Sequence, residues 1–269
     1  MILRPIALAC ATLAPFAATA DAALLEALQL PRVVEVMRAE GLAQGEELAA
    51  DLLPGRDPAA FMLRVERIYD AAAMERRLSE GLTEALADAD VPAIRTFFEG
   101  EVGARIIDLE LSAREAMMDE DVEEAAKAGW AEIAADDPDR AALIDEFIEV
   151  NGLVDENVQG GLNSNLSFFR GMNAGGAFDP PMDESAMLAD IWGQEPEIRA
   201  ETTDWLHGYL GLAYAPLAEA ELEEYVAFSR TEAGRDLNRA LFDAFDEMYD
   251  GVTFALGESA ALLMSSEDI

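Results

Sequence analysis

From residue 24 onward, apolar residues recur with a helical period. After Gly100, for example, Val102, Ile106, Leu109, Ala113 and Met117 follow at steps of four, three, four and four, which puts them on one stripe of an α-helix. No segment shows the alternation of Val, Ile, Thr and aromatic residues that marks a half-buried strand. Helix starts are signalled by Asp57-Pro58, Asp137-Pro138 and Asp183. At each the carboxylate can accept from otherwise unpaired N–H groups, and a proline at the first helical position needs no donor. Breaks are expected at LPGRDP (53–58), GMNAGGAFDPP (171–181) and GQEP (193–196). The pattern predicts an all-α protein of about ten helices.

The apolar pattern also repeats along the chain. At an offset of 131, Leu86 falls on Leu217, Ile94 on Tyr225, Phe97 on Phe228, Glu101 on Glu232, Gly103 on Gly234 and Met117 on Met248. Nearer the start, an offset of 120 pairs Leu28 with Ile148, Val34 with Val154, Gly41 with Gly161 and Leu42 with Leu162. Two multi-helix units are therefore expected, about 24–118 and 144–249, with an 11-residue insertion in the second at 171–181. An acidic helical segment, DEDVEEAAKAGWAEIAADDPDR, bridges them, and the last helix runs on to about residue 263. Two copies are too few for a solenoid. A helical bundle in which both units pack as one domain, 21–269, is the expected architecture.

The repeat is sharpest where AFSRTEAGRDL (227–237) echoes TFFEGEVGARI (96–106). Thr231 is placed to cap a new helix, with Glu232 in its first turn against the positive end of the helix dipole. Gly234 then lies just inside that helix, where glycine costs about 0.5–1 kcal/mol relative to alanine. Close approach of the first turn to the preceding helix is the compensating reason expected for it. The F-S-x-T-E-x-G-R form of Phe228, Ser229, Thr231, Glu232, Gly234 and Arg235 resembles the bacterial family catalogued as domain of unknown function 2059. The first copy departs from it, with Phe98 in place of Ser and Ala104 in place of Arg, although Arg105 follows. The resemblance implies an all-helical exported domain and supplies no catalytic residues. Ser229 and Arg235, where the copies differ, are the positions at which a private function of the motif would reside.

Composition and charge change this picture in one respect, the place of work. Arg4, an apolar run from Pro5 to about Ala18, and Ala18-Thr19-Ala20 ahead of Asp21 have the layout of a secretory signal peptide. Cleavage is expected between Ala20 and Asp21, giving a periplasmic or secreted protein. The competing lipoprotein reading uses Cys10, but only five residues separate Arg4 from it. Removal of residues 1–20 takes away the only cysteine, and with it thiol catalysis, thiolate zinc sites and disulfides. The remainder carries 17 basic residues, of which only Lys127 is a lysine, against 55 acidic ones. So negative a surface repels nucleic acid and anionic lipid, and neither is expected as a partner.

Chemistry is scarce by comparison. His207, the single histidine, lies between Trp205 and Tyr209 on a helix. A Ser-His-Asp triad or a two-histidine metal site would have to use it, and a half-buried structural histidine is the reading preferred. Carboxylates are too numerous for spacing to single out a glycosidase pair. Glu184-Ser185 and Glu258-Ser259 resemble the Glu-Ser start of wall-cleaving transglycosylases, but the companion motif follows neither. No EF-hand loop and no Gly-rich phosphate loop occurs, and the methionines, Met117, Met118, Met182 and Met187 among them, fall at core-like spacing rather than as copper ligands. No catalytic, cofactor or metal residues are assigned from sequence. The expected function is a non-enzymatic exported protein that binds a peptide or envelope protein between its two units. A carboxylate-dependent hydrolase and a low-affinity cation binder are the alternatives.

Overall fold

The computed structural model describes residues 22–52 and 57–265. The expected leader, its cleavage site and Cys10 lie outside them. The described residues form thirteen helices and no strand. They are α1 (Ala22–Ala27), α2 (Leu30–Leu52), α3 (Ala59–Ile68), α4 (Ala71–Ala85), α5 (Val91–Phe98), α6 (Glu101–Ala116), α7 (Glu120–Asp136), α8 (Pro138–Val150), α9 (Leu153–Ala174), α10 (Glu184–Gly193), α11 (Glu195–Tyr214), α12 (Glu219–Ser229) and α13 (Glu232–Ser265). The fold is all-α, with more and shorter helices than the apolar periodicity separates.

Helix starts follow the physics of unpaired N–H groups. Asp137 accepts from the N–H of Arg140 and Asp183 from that of Ser185, while Asp57 accepts from the N–H of Ala59. Asp70, Asp90 and Asp119 cap α4, α5 and α7 in the same way. Two expected breaks are smaller than predicted. Helix α9 continues through Gly171 to Ala174, so the irregular stretch shrinks to 175–183, and in GQEP only Gln194 separates α10 from α11. Pro196 sits in the first turn of α11, where its missing donor does no harm.

The stretches on either side of α7 are interlocked rather than stacked as lobes. Helix α4 packs on α13, and α11 on α6; α5 also meets α13, and α12 meets α6. One core accordingly joins Leu24, Phe61, Met74, Leu78, Leu82 and Ile94 with Leu237, Met248, Val252 and Leu256 of α13. The other joins Ile106 and Ala113 of α6 with Ile144, Leu210, Tyr214, Leu222 and Val226. Where the two cores meet, Phe97 stacks on Phe228 with ring centroids 4.1 Å apart and planes within 10°.

The two echoing joints are alike in three dimensions. A β carbon on Gly234 would lie 2.2 Å from the Phe228 carbonyl oxygen and 2.8 Å from the Ser229 Cα. On Gly103 it would lie 2.3 Å from the Phe97 carbonyl oxygen and 2.7 Å from the Phe98 Cα. Backbone, not the phenylalanine ring, occupies the space that a side chain would need. Thr231 caps α13 by accepting from the Gly234 N–H at 3.0 Å. Arg235 is exposed and donates to the Arg230 carbonyl, which ties off the end of α12.

Candidate functional site

A cavity of about 540 Å³ lies between the two stretches, within the range of small-molecule sites. Its walls come from α2 (Met37, Gln44), α6 (Ile107, Glu110, Arg114), α9 (Glu156, Asn157, Gly160, Ser164), α11 (Trp205, Tyr209), α12 (Tyr225, Phe228, Ser229) and α13 (Leu241, Phe245, Asp246, Tyr249, Thr253), with Phe98 and Phe147 at the inner end. Several of these side chains are enclosed by helices and yet keep accessible surface, which is the mark of internal space. Arg114, on the wall, keeps 33% of its side-chain surface accessible.

Helix α6 brings two charges into this space. Its apolar stripe through Ile106 and Ala113 packs in the core, and beside it runs a second line, Gly103, Ile107, Glu110 and Arg114, also at helical spacing. Arg114 donates from Nε and Nη2 to the two carboxylate oxygens of Glu40 on α2, at 2.6 and 2.8 Å. Burial opposes the guanidinium charge, but this two-pronged pair more than offsets it, so the Arg114 pKa is raised. Replacing Arg114 by methionine leaves the half-buried Glu40 without its partner. The loss should be about 2 kcal/mol, between the values for exposed and fully buried pairs. It would be read as a lower urea midpoint that the Glu40→Met/Arg114→Met pair largely restores.

Glu110 is the only lining acid set among tyrosines. Tyr214 donates its hydroxyl to Glu110 Oε1 at 2.6 Å, and Tyr209 donates to the Glu110 carbonyl at 3.1 Å. Burial pushes the Glu110 carboxyl up to about 7, against the opposing pull of the Tyr214 and Tyr225 phenols. Burial also raises the pKa of Tyr209, Tyr214 and Tyr225, which stay neutral donors. The aromatic lining falls in two sets. Trp205 stacks on Tyr209 at 4.8 Å, and Phe147 lies 4.6 Å from Tyr225. At the other side of the cavity Gly160 leaves room for Asp246, whose Oδ1 lies 2.8 Å from where a β carbon would be. The Asp246 carboxyl is pushed up to about 6, first by burial and then by the neighbouring charges of Asp250, Glu156 and Asp243.

The residues weighed in the sequence fall mostly elsewhere. His207 is half-buried, stacked on Trp130 at 4.4 Å, with Nε2 3.0 Å from Asp145 Oδ1. That arrangement braces α11 against α7 and α8 and brings no serine to the ring. Glu184 pairs with Arg170, and Glu258 is exposed on α13. Of the two motif positions, Ser229 is buried and lines the cavity while Arg235 does not. Among the described residues no three His, Asp or Glu side chains converge in a way that could hold a metal ion, and no helix is long and apolar enough to cross a membrane. Glu110 and Arg114, the latter held by Glu40 from behind the lining, carry the charged part of the site on α6, and sequence reading passed over them. Their signal was the second line of α6, where an acid and an arginine four residues apart read as a solvated pair.

No protein-family profile, curated protein or solved structure is matched by the chain. The likeness of residues 228–235 to domain of unknown function 2059 rests on those residues alone.

Proposed function

We propose that this is an exported binding protein, built from two related helical units, that holds an amphiphilic small molecule in the cavity between them. The observation that carries the reading is the cavity itself. It is large enough for a ligand, walled by Phe98, Phe147, Tyr225, Phe228 and Phe245, and given a few placed polar groups, Glu110, Arg114 and Ser229. A cleft of this size lined mainly by apolar side chains leaves that surface against water, and an occupant that covers it is favoured. The secretory layout of residues 1–20 and the resemblance to domain of unknown function 2059 support export.

Filling the cavity tests the reading. Ser164 lines it from α9 and makes no contact with the Glu110 or Arg114 groups. Ser164→Trp should abolish the fluorescence gain of an apolarity-sensitive dye on the purified protein, with the far-UV spectrum unchanged. An undiminished gain in the variant would overturn the proposal. A hydrolase is the second reading, because a carboxyl titrating near 7 suits a general acid. The nearby Glu40 is committed to Arg114, which leaves Glu110 without a free second carboxylate from α2. Digestion of envelope material that Glu110→Gln abolishes would favour that reading.

A further inference from the structure

The charges on the cavity wall favour one sign of ligand. Its lining holds the acids Glu110, Glu156 and Asp246 and a single basic residue, Arg114. That guanidinium is already engaged by both oxygens of Glu40, so an anionic head group would find no free counter-charge. Glu156 and Asp246 stand on the facing helices α9 and α13, and among the described residues no arginine or lysine pairs with either. The contrast with the α2 and α6 side is informative. By the sequence offsets, Glu40 and Arg114 correspond to Gly160 and Phe245. Where one side has an internal ion pair, the other has an acid, open space left by a glycine, and an aromatic ring. The faces of Phe245, Tyr225 and Phe228 suit a diffuse positive charge as well as an apolar body. Divalent metal is a poor fit, since the carboxylates do not converge.

We propose that the ligand is a hydrophobic organic cation, its apolar body against the aromatic wall and its ammonium or related group beside Glu156 and Asp246. This rests on the binding reading above and adds the ligand's charge to it. The counter-charge it brings relieves the mutual repulsion of Asp246, Asp250 and Glu156, in the position where the α2 and α6 side supplies its own arginine.

Titration of the full chain with three probes of equal chain length, decyltrimethylammonium, decanol and decanoate, tests this below their micelle concentrations. The buffer should contain about 0.15 M salt, at which the Debye length is about 8 Å and the general attraction of the acidic surface is screened. Trp205, which lines the cavity, reports occupancy by its fluorescence. The cation should bind at least tenfold tighter than the alcohol, with the acid weakest. Glu156→Gln/Asp246→Asn should shrink the cation-to-alcohol ratio to near one, and Ser164→Phe, which fills the cavity without adding an indole, should remove the Trp205 response to all three. If the alcohol or the acid binds as tightly as the cation, the charge assignment falls while the cavity reading stands. If none of the three changes Trp205 fluorescence, both fall.

Discussion

Glu110→Gln is expected to raise the melting temperature at pH 8, by at most about 6–12 °C, and to leave it nearly unchanged at pH 4.5. The wild-type carboxyl titrates near 7 in the folded protein and near 4.5 when unfolded. Between those values the folded chain holds a proton that the unfolded chain has released. The contribution of Glu110 is therefore fully present below pH 4.5 and is lost as pH rises through 7, the opposite of a salt-bridged acid. The full span corresponds to about 3 kcal/mol, a ceiling because water in the cavity can solvate the anion. For a chain of this length each kcal/mol moves the midpoint by about 2–4 °C. Glutamine keeps an oxygen for the Tyr214 hydroxyl and cannot ionise, so the gain should be confined to the alkaline side. A melting difference independent of pH would show that Glu110 does not sit in the low-dielectric wall described. Asp246, raised to about 6, bends the wild-type curve in the same direction at lower pH.

The second large effect belongs to the helix joints. Gly234→Ala places a methyl group 2.2 Å from the Phe228 carbonyl oxygen, and Gly103→Ala places one 2.3 Å from that of Phe97. Backbone cannot swing aside as a side-chain end can, so α12 and α13, or α5 and α6, must separate. Such overpacking costs about 1–3 kcal/mol, occasionally more, and the upper end applies where backbone meets the new atom. Either substitution should lower the melting temperature by about 6–12 °C. The displacement also shifts Phe228 or Phe97, and with them the cavity wall. Gly129→Ala on α7 is the matched control. Nothing lies within 4 Å of its β position, and alanine there should stabilise by about 0.5–1 kcal/mol through helix propensity. Equal effects at Gly129 and Gly234 would refute the close-approach explanation.

The architecture was legible because its determinants are local. The stripe through Ile106 and Ala113, the Asp137 and Asp183 caps, and the Thr231 cap are each set by residues within a turn of one another, and all of them are present in the structure. Helix ends were less legible. Gly171 and Pro181 belong to one apparent loop in the sequence, but α9 packs along α13 for most of its length, and that tertiary contact holds Gly171 in the helix. The cavity could not be read at all. Glu110 lies beside Tyr214 and Tyr209, about a hundred positions away, and Arg114 meets Glu40 across two different helices. Nothing in the spacing of α6 distinguishes an inward charge from an outward one until α2, α11 and α13 surround it. His207 drew notice for its rarity, and its stacking on Trp130 gives it bracing work outside the cavity lining.

The exchange of helices between the two cores would limit how the proposed ligand comes and goes. Helix α13 completes the core of α1 to α5, and α6 that of α8, α11 and α12. There is no hinge about which one half could swing from the other without tearing both hydrophobic interiors apart. Traffic into the cavity is left to small excursions of its exposed rim, where Gln44 of α2 faces solvent together with Glu156 and Asn157 of α9. Entry is thus a matter of side chains and half-turns at a doorway rather than of jaws, and the acids at that doorway are the first groups that an arriving molecule meets.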